Sequence, residues 1–209
     1  MIVREGVAPV LGATLAALLI QSQVSALWAV VPWLAVAFLC WIYRFPRIRL
    51  IVDPRGILSP VSGRLERLET AIDPYRQCPV LRLQIRVTPP GITLLRNPVE
   101  GQVKEIYLRQ GVYGGEQRLT RESESPDCYA ANLKTDEGQQ MVYAISSNWP
   151  ISRCSLDRGP GERVGQGQRS GFFYFASYVD VLIPVDSDVE VEVNQRLIAG
   201  KTQLARLPR

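Results

Sequence analysis

The 209-residue chain contains no histidine. That absence removes Ser-His-Asp and Cys-His catalysis, histidine-ligated zinc and imidazole acid–base chemistry. Its four cysteines, Cys40, Cys78, Cys128 and Cys154, form no C-x-x-C pair, so no metal site and no redox dithiol is expected. Reduced, mostly buried thiols are the reading that follows. The basic excess is small, 24 Lys and Arg against 20 Asp and Glu, and no basic run alternates with aromatics, so no nucleic-acid partner is expected. No amphipathic helix stands out in the polar part of the chain. No Met-Lys-Met-like or Asp-Lys-Ala-like lysine sits at a turn there, which argues against a swinging-arm carrier.

Charge itself is missing from residues 7–43. Ala26 to Tyr43 is an uncharged run of 18 residues, close to the ~20 that cross a bilayer as a helix. Trp28, Trp33, Trp41 and Tyr43 supply interfacial side chains. An earlier run, Val7 to Ile20, reaches that length only by recruiting Gly6 and the polar linker Gln21 to Ser25. Two helices joined by this linker make a membrane hairpin. Arg4 flanks one end and Arg44, Arg47 and Arg49 the other, while the linker has no Lys or Arg. The positive-inside rule then puts both ends, and the C-terminal domain, on the cytoplasmic side of the cell (inner) membrane. Pro9 and Pro32 keep open a hairpin that dips into one leaflet. A signal peptide ending near Val24-Ser25-Ala26 is the competing reading, opposed by the second apolar run that follows at once.

The rest of the chain reads as strands. Val80 to Val87 alternates apolar and polar residues. Gln102 to Leu108, Gln140 to Ile145, Phe172 to Ile183 and Val189 to Asn194 also read as strands, punctuated by Gly and Pro. Pro60-Val61-Ser62-Gly63 and Pro98-Val99-Glu100-Gly101 are each a proline-led turn into a strand, and Gly200 is a turn between two more. The expected fold is mainly β: a compact sandwich or barrel-like domain of hammerhead type over residues 49–209, preceded by the α-helical hairpin and basic junction of residues 1–48.

Five segments carry a resemblance. They are the junction Tyr43-Arg44-Phe45-Pro46-Arg47; Ser59-Pro60-Val61-Ser62-Gly63; Thr93-Leu94-Leu95-Arg96-Asn97-Pro98-Val99-Glu100-Gly101; Gly167-Gln168-Arg169-Ser170-Gly171 leading to Phe175-Ala176-Ser177, Val179-Asp180 and Pro184; and Ala199-Gly200-Lys201-Thr202. In this order and spacing the chain resembles the short phosphatidylserine decarboxylases over nearly all its length. The resemblance implies that Ser177 stands where the family's serine attacks the carbonyl of the preceding residue, the chain is cut, and a pyruvoyl group forms. That group is the electron sink for loss of carbon dioxide. It further implies head-group binding at Arg96 and Arg169, since a guanidinium suits a phosphate or carboxylate. A surface or turn salt bridge is the plainer role for each.

The departures fall at the reaction centre. A serine needs an adjacent base. The family's histidine and aspartate are replaced by Thr93 and Ser62, and the glycine before the scissile bond by Ala176. Phe45 replaces the junction aspartate, and Tyr129-Ala130-Ala131-Asn132 lacks the family's Asn-Glu-Arg pattern. The expectation is a membrane-anchored relative of phospholipid metabolism that is not self-processed. It needs no cofactor and binds a membrane phospholipid, a lipid enzyme or a second copy of itself. The alternative is an active decarboxylase making phosphatidylethanolamine, with a pyruvoyl group from Ser177 and a substitute base: Asp180, Glu100, Asp53 or Asp73. A membrane-tethered β domain of unrelated function is the third reading.

Overall fold

The computed structural model describes residues 4–23, 30–42, 53–88, 92–108, 127–146, 153–174 and 178–208. The chain forms two compact units, Met1–Ile48 and Arg49–Arg209.

In the first unit, α1 (Arg4–Gln23) packs against α2 (Val30–Ile42). Gln21 to Gln23, read above as linker, continue α1, and Trp33 Nε1 of α2 donates to Gln21 Oε1 at 3.0 Å. Ala17 and Val36 are buried, whereas Leu11, Leu15, Leu19, Val31, Leu34 and Phe38 are exposed. Among the described residues, no helix is long and apolar enough to cross a membrane. The 13 residues of α2 give about 20 Å at 1.5 Å per residue. α1 starts on Arg4-Glu5 and ends on Gln21-Ser22-Gln23. The helical pair is present; a spanning one is not seen.

The second unit is built from strands. In chain order they are β1 (Gly56–Leu58), β2 (Gly63–Ile72), β3 (Pro79–Val87), β4 (Ile92–Arg96), β5 (Gly101–Leu108), β6 (Asp127–Lys134) and β7 (Gln140–Ser146). β8 (Arg153–Leu156), β9 (Arg163–Val164), β10 (Arg169–Tyr174), β11 (Tyr178–Pro184), β12 (Asp188–Val189), β13 (Arg196–Leu197) and β14 (Gln203–Arg206) follow. One sheet has eight strands in the order β13-β2-β3-β11-β7-β6-β5-β9; two others have three, β4-β10-β8 and β1-β14-β12. The large sheet's inner face contributes Leu65, Leu83, Ile85, Tyr143, Val179 and Val181 to one core. Leu95 and Phe173 from the second sheet and Ile57 and Leu204 from the third close it. The mainly β expectation holds, as a half-barrel sheet covered by two small ones. On its outer face Val80, Ala130, Val142, Ala144 and Leu182 form a second cluster beside Tyr75 and Tyr107, whose rings stack with centroids 4.8 Å apart.

Two predicted strands need correction. Phe172 to Ile183 is not one strand: β10 ends at Tyr174 between β4 and β8, and β11 starts at Tyr178 between β3 and β7, in another sheet. An apolar run cannot show where its hydrogen-bond partners change. Val189 to Asn194 alternates perfectly, but only Val189 lies in a strand. Gln195 N donates to Glu192 O, and Asn194 turns the chain at φ 71°.

The two proline-led turns have the same physical basis. A Cβ on Gly63 would overlap the Arg86 carbonyl oxygen, and one on Gly101 the Lys134 carbonyl oxygen. Both glycines begin strands that lie against a neighbour's backbone, which cannot retreat without breaking the ladder. Gly63→Ala and Gly101→Ala should each cost about 2 kcal/mol or more by overpacking, read as a lowered midpoint in a thermal melt with the secondary structure otherwise retained.

Candidate functional site

Among the described residues, the Ser59–Gly63, Arg96–Asn97, Gly167–Gln168 and Ala199–Thr202 stretches meet in the fold. Arg96 N donates to Pro60 O at 2.9 Å, which sets the Ser59–Gly63 turn on the end of β4. Gly200 N donates to Ser59 O, and Ser59 N to Thr202 O, both at 2.8 Å. Ala199 N donates to Ser62 Oγ at 3.0 Å. Asn97 N donates to Gln168 O at 2.9 Å and Gly167 N to Asn97 O at 2.8 Å. Segments far apart in sequence are thus tied, mostly by backbone bonds, into one corner.

Thr93 of β4 pairs with Phe173 of β10. Register partners share a face, so Thr93 lies on the side of its sheet that carries Phe173 and Leu95 into the core. Phe175, Ala176 and Ser177 lie outside the described residues, between β10 and β11.

Arg96 and Arg169 are register partners, a like-charged pair. Each guanidinium is engaged. Buried Arg96 donates from Nη1 to Gly167 O at 2.8 Å, and burial lowers its pKa from the usual arginine value. Arg169 Nε lies 2.8 Å from Asp157 Oδ2, with its guanidinium 5.7 Å from the Phe172 ring centre. Arg96 therefore fastens the Gly167 turn, and Arg169 is the more exposed of the two.

The acids that could replace a base have other work. Asp180 Oδ2 is 2.7 Å from Arg82 Nη2, on the outer face of the large sheet, whereas Val179 and Val181 point into the core. Fully buried Asp73 caps its turn by accepting from Tyr75 N and Arg76 N, and pairs with Arg76 Nε at 2.5 Å. Asp53 accepts from Arg55 N and lies 3.7 Å from Arg206 Nε. Glu100 is exposed and has no hydrogen bond or ion pair among the described residues.

Sequence reasoning missed a buried hydroxyl group beside this corner. Tyr143 OH and Ser170 Oγ are 2.8 Å apart, both buried, Ser170 standing at the register shift between Arg169 and Gly171. The Tyr129 hydroxyl is buried without a hydrogen-bond partner among the described residues. Burial pushes both phenols well above their usual pKa, so neither becomes a phenolate base near neutral pH. The signal was a tyrosine inside the wholly apolar face of Gln140 to Ile145 and a serine in the strand facing it.

Comparison with known proteins bears on this corner. A family model described as phosphatidylserine decarboxylase matches residues 36–205. The chain belongs to the phosphatidylserine decarboxylase family. A phosphatidylserine decarboxylase proenzyme of Neisseria gonorrhoeae is 29% identical over 208 residues, covering 100% of this chain and 80% of the relative. Proenzymes of Nitrosomonas europaea and Burkholderia cenocepacia are 29% and 28% identical, covering 94% and 96% of those relatives. Family membership ties the chain to phospholipid metabolism.

Family chemistry uses a pyruvoyl group made from a serine, and the described residues do not fit its making. The positions of histidine and aspartate hold hydroxyls, and the Ser62 hydroxyl is already an acceptor for Ala199 N–H. No step through that group is derived for this chain. Arg96→Met should leave the Gly167 carbonyl without its donor and cost about 2 kcal/mol, read as a melting shift that Arg169→Met, at a more exposed ion pair, does not match.

Proposed function

We propose that this family member remains a single polypeptide and works at the membrane as a phospholipid- or partner-binding protein rather than as a self-processing decarboxylase. One observation carries this: the positions of the family's base and its orienting acid are Thr93 and Ser62, in a chain without histidine. A threonine hydroxyl cannot accept a proton from serine near neutral pH. Asp180, Asp73 and Asp53 are held in ion pairs and turns, which supports the same reading. Glu100 is the one acid of the four a processing reaction would have to use.

The membrane role rests on the first unit. Its outward leucines, valines and Phe38 are the surface expected of a segment that sits in lipid. Arg44, Arg47 and Arg49 favour the cytoplasmic side of the inner membrane, with the β domain on that side and a head group near Arg169.

Purified full-length protein should run as one band of 23.4 kDa, unchanged by Ser177→Ala. A split into two pieces, the smaller being the 33 residues from Ser177 to Arg209, would sink the proposal. The combined changes Ser62→Asp, Thr93→His and Ala176→Gly should restore cleavage between residues 176 and 177. Mass spectrometry of the small fragment reads this directly; an intact chain would mean that the fold has drifted as well as the side chains.

A further inference from the structure

The outer face of the large sheet carries a lateral row of arginines. Arg196 of β13 is the register partner of Arg64 of β2, and Arg64 that of Arg86 of β3. Arg86 in turn stands opposite Tyr178, the residue after Ser177. Leu197, Leu65 and Ile85, next along these strands, belong to the core, so the arginines face away from it. All three are exposed, and Arg67, also exposed, follows one step along β2.

Like charges directly opposite one another on neighbouring strands destabilise a sheet. Elsewhere in this domain such a conflict is relieved: Arg96 and Arg169 each have a partner of their own, and Arg82 sits between Asp180 and Glu69. Here it is not. Arg64, Arg67 and Arg196 have no ion pair among the described residues. Arg86, its side chain 63% exposed, reaches only Glu66 at 3.9 Å. Among the described residues, four exposed cations thus share one ion-paired carboxylate, a charge pattern that complements a layer of phosphates.

We propose that the strip formed by Arg64, Arg67, Arg86 and Arg196 docks the β domain onto an anionic phospholipid surface, reading the phosphate charge of the lipids rather than a particular head group. The proposal rests on the membrane reading given above. The half-buried phenol of Tyr178, at the end of the row, then meets the interface, where an amphipathic ring is favoured.

Flotation of the full-length protein tests it, with vesicles of phosphatidylcholine alone and with added phosphatidylglycerol or phosphatidylserine. The wild type should float with all three and bind the two anionic kinds more tightly and equally, an increment that salt removes. At about fivefold per arginine near a charged surface, the variant carrying Arg64→Gln, Arg86→Gln and Arg196→Gln should lose roughly 100-fold of that increment. It should keep its binding to neutral vesicles. Its melting point should equal or exceed the wild-type value at low salt, because repulsion has been removed, and Glu66→Gln should strengthen anionic binding. An increment that survives in the triple variant, that is absent from the wild type, or that appears for phosphatidylserine alone overturns the strip while the membrane reading stands. Flotation with no vesicle overturns both. Binding only to anionic vesicles, lost in the triple variant, keeps the strip and overturns the hairpin as anchor.

Discussion

Between Tyr174 and Tyr178 the chain leaves one sheet and enters another. β10 is hydrogen-bonded on both sides by β4 and β8, and β11 on both sides by β3 and β7. Neither strand can slide without breaking two ladders, so the joint between them is fixed at each end. The corner where the Ser59–Gly63, Arg96–Asn97, Gly167–Gln168 and Ala199–Thr202 stretches meet is built mostly from main-chain bonds: Pro60 to Arg96, Asn97 to Gln168 and Gly167, Ser59 to Gly200 and Thr202. Such bonds do not depend on which side chains occupy positions 62 and 93. The backbone scaffold of this corner is therefore separable from the side chains at positions 62 and 93.

That separation gives the proposed loss of processing a physical form. A histidine and an aspartate in this corner would bring ionisable groups into a partly buried place, where each needs a partner to offset desolvation. A hydroxyl at position 62 makes one hydrogen bond, to Ala199 N–H, and leaves no charge behind. The nearby hydroxyls of Tyr143 and Ser170 are satisfied by each other, and burial keeps the phenol neutral. Of the four candidate acids, Asp73, Asp53 and Asp180 are held in turns and ion pairs, and Glu100 alone is left exposed.

How much of this could be read beforehand depends on what periodicity reports. β3, β5 and β7 were legible as apolar or alternating runs, and the paired turns at Gly63 and Gly101 as an internal echo. β6 was not, because Tyr129 to Leu133 is buried on both faces and its alanines carry little strand preference. Val189 to Asn194 failed the other way: its alternation describes side chains, and no neighbouring strand accepts its backbone beyond Val189. Arg96 and Arg169 were visible as cations, but their partners, Gly167 and Asp157, depend on strand register and lie far off in sequence or across a turn. The segment order that identified the family survived because it marks backbone turns, which the fold needs whatever the chemistry.

The outer face of the large sheet follows from the same register. On β11 the odd positions Val179, Val181 and Ile183 fill the core, so the even ones, Tyr178, Asp180 and Leu182, are left to the outer surface. Leu182 completes an apolar cluster with Val80 and Val142, and Asp180 neutralises Arg82 one row away. Once Asp180 is spent on Arg82 it cannot balance the next row, and that row is where Arg86, Arg64 and Arg196 stand side by side. The residue that is unfit as a base on the inner side is thus also the reason the positive charge on the outer side goes uncompensated. One ion pair removes a candidate for proton transfer and leaves the arginine row without that carboxylate.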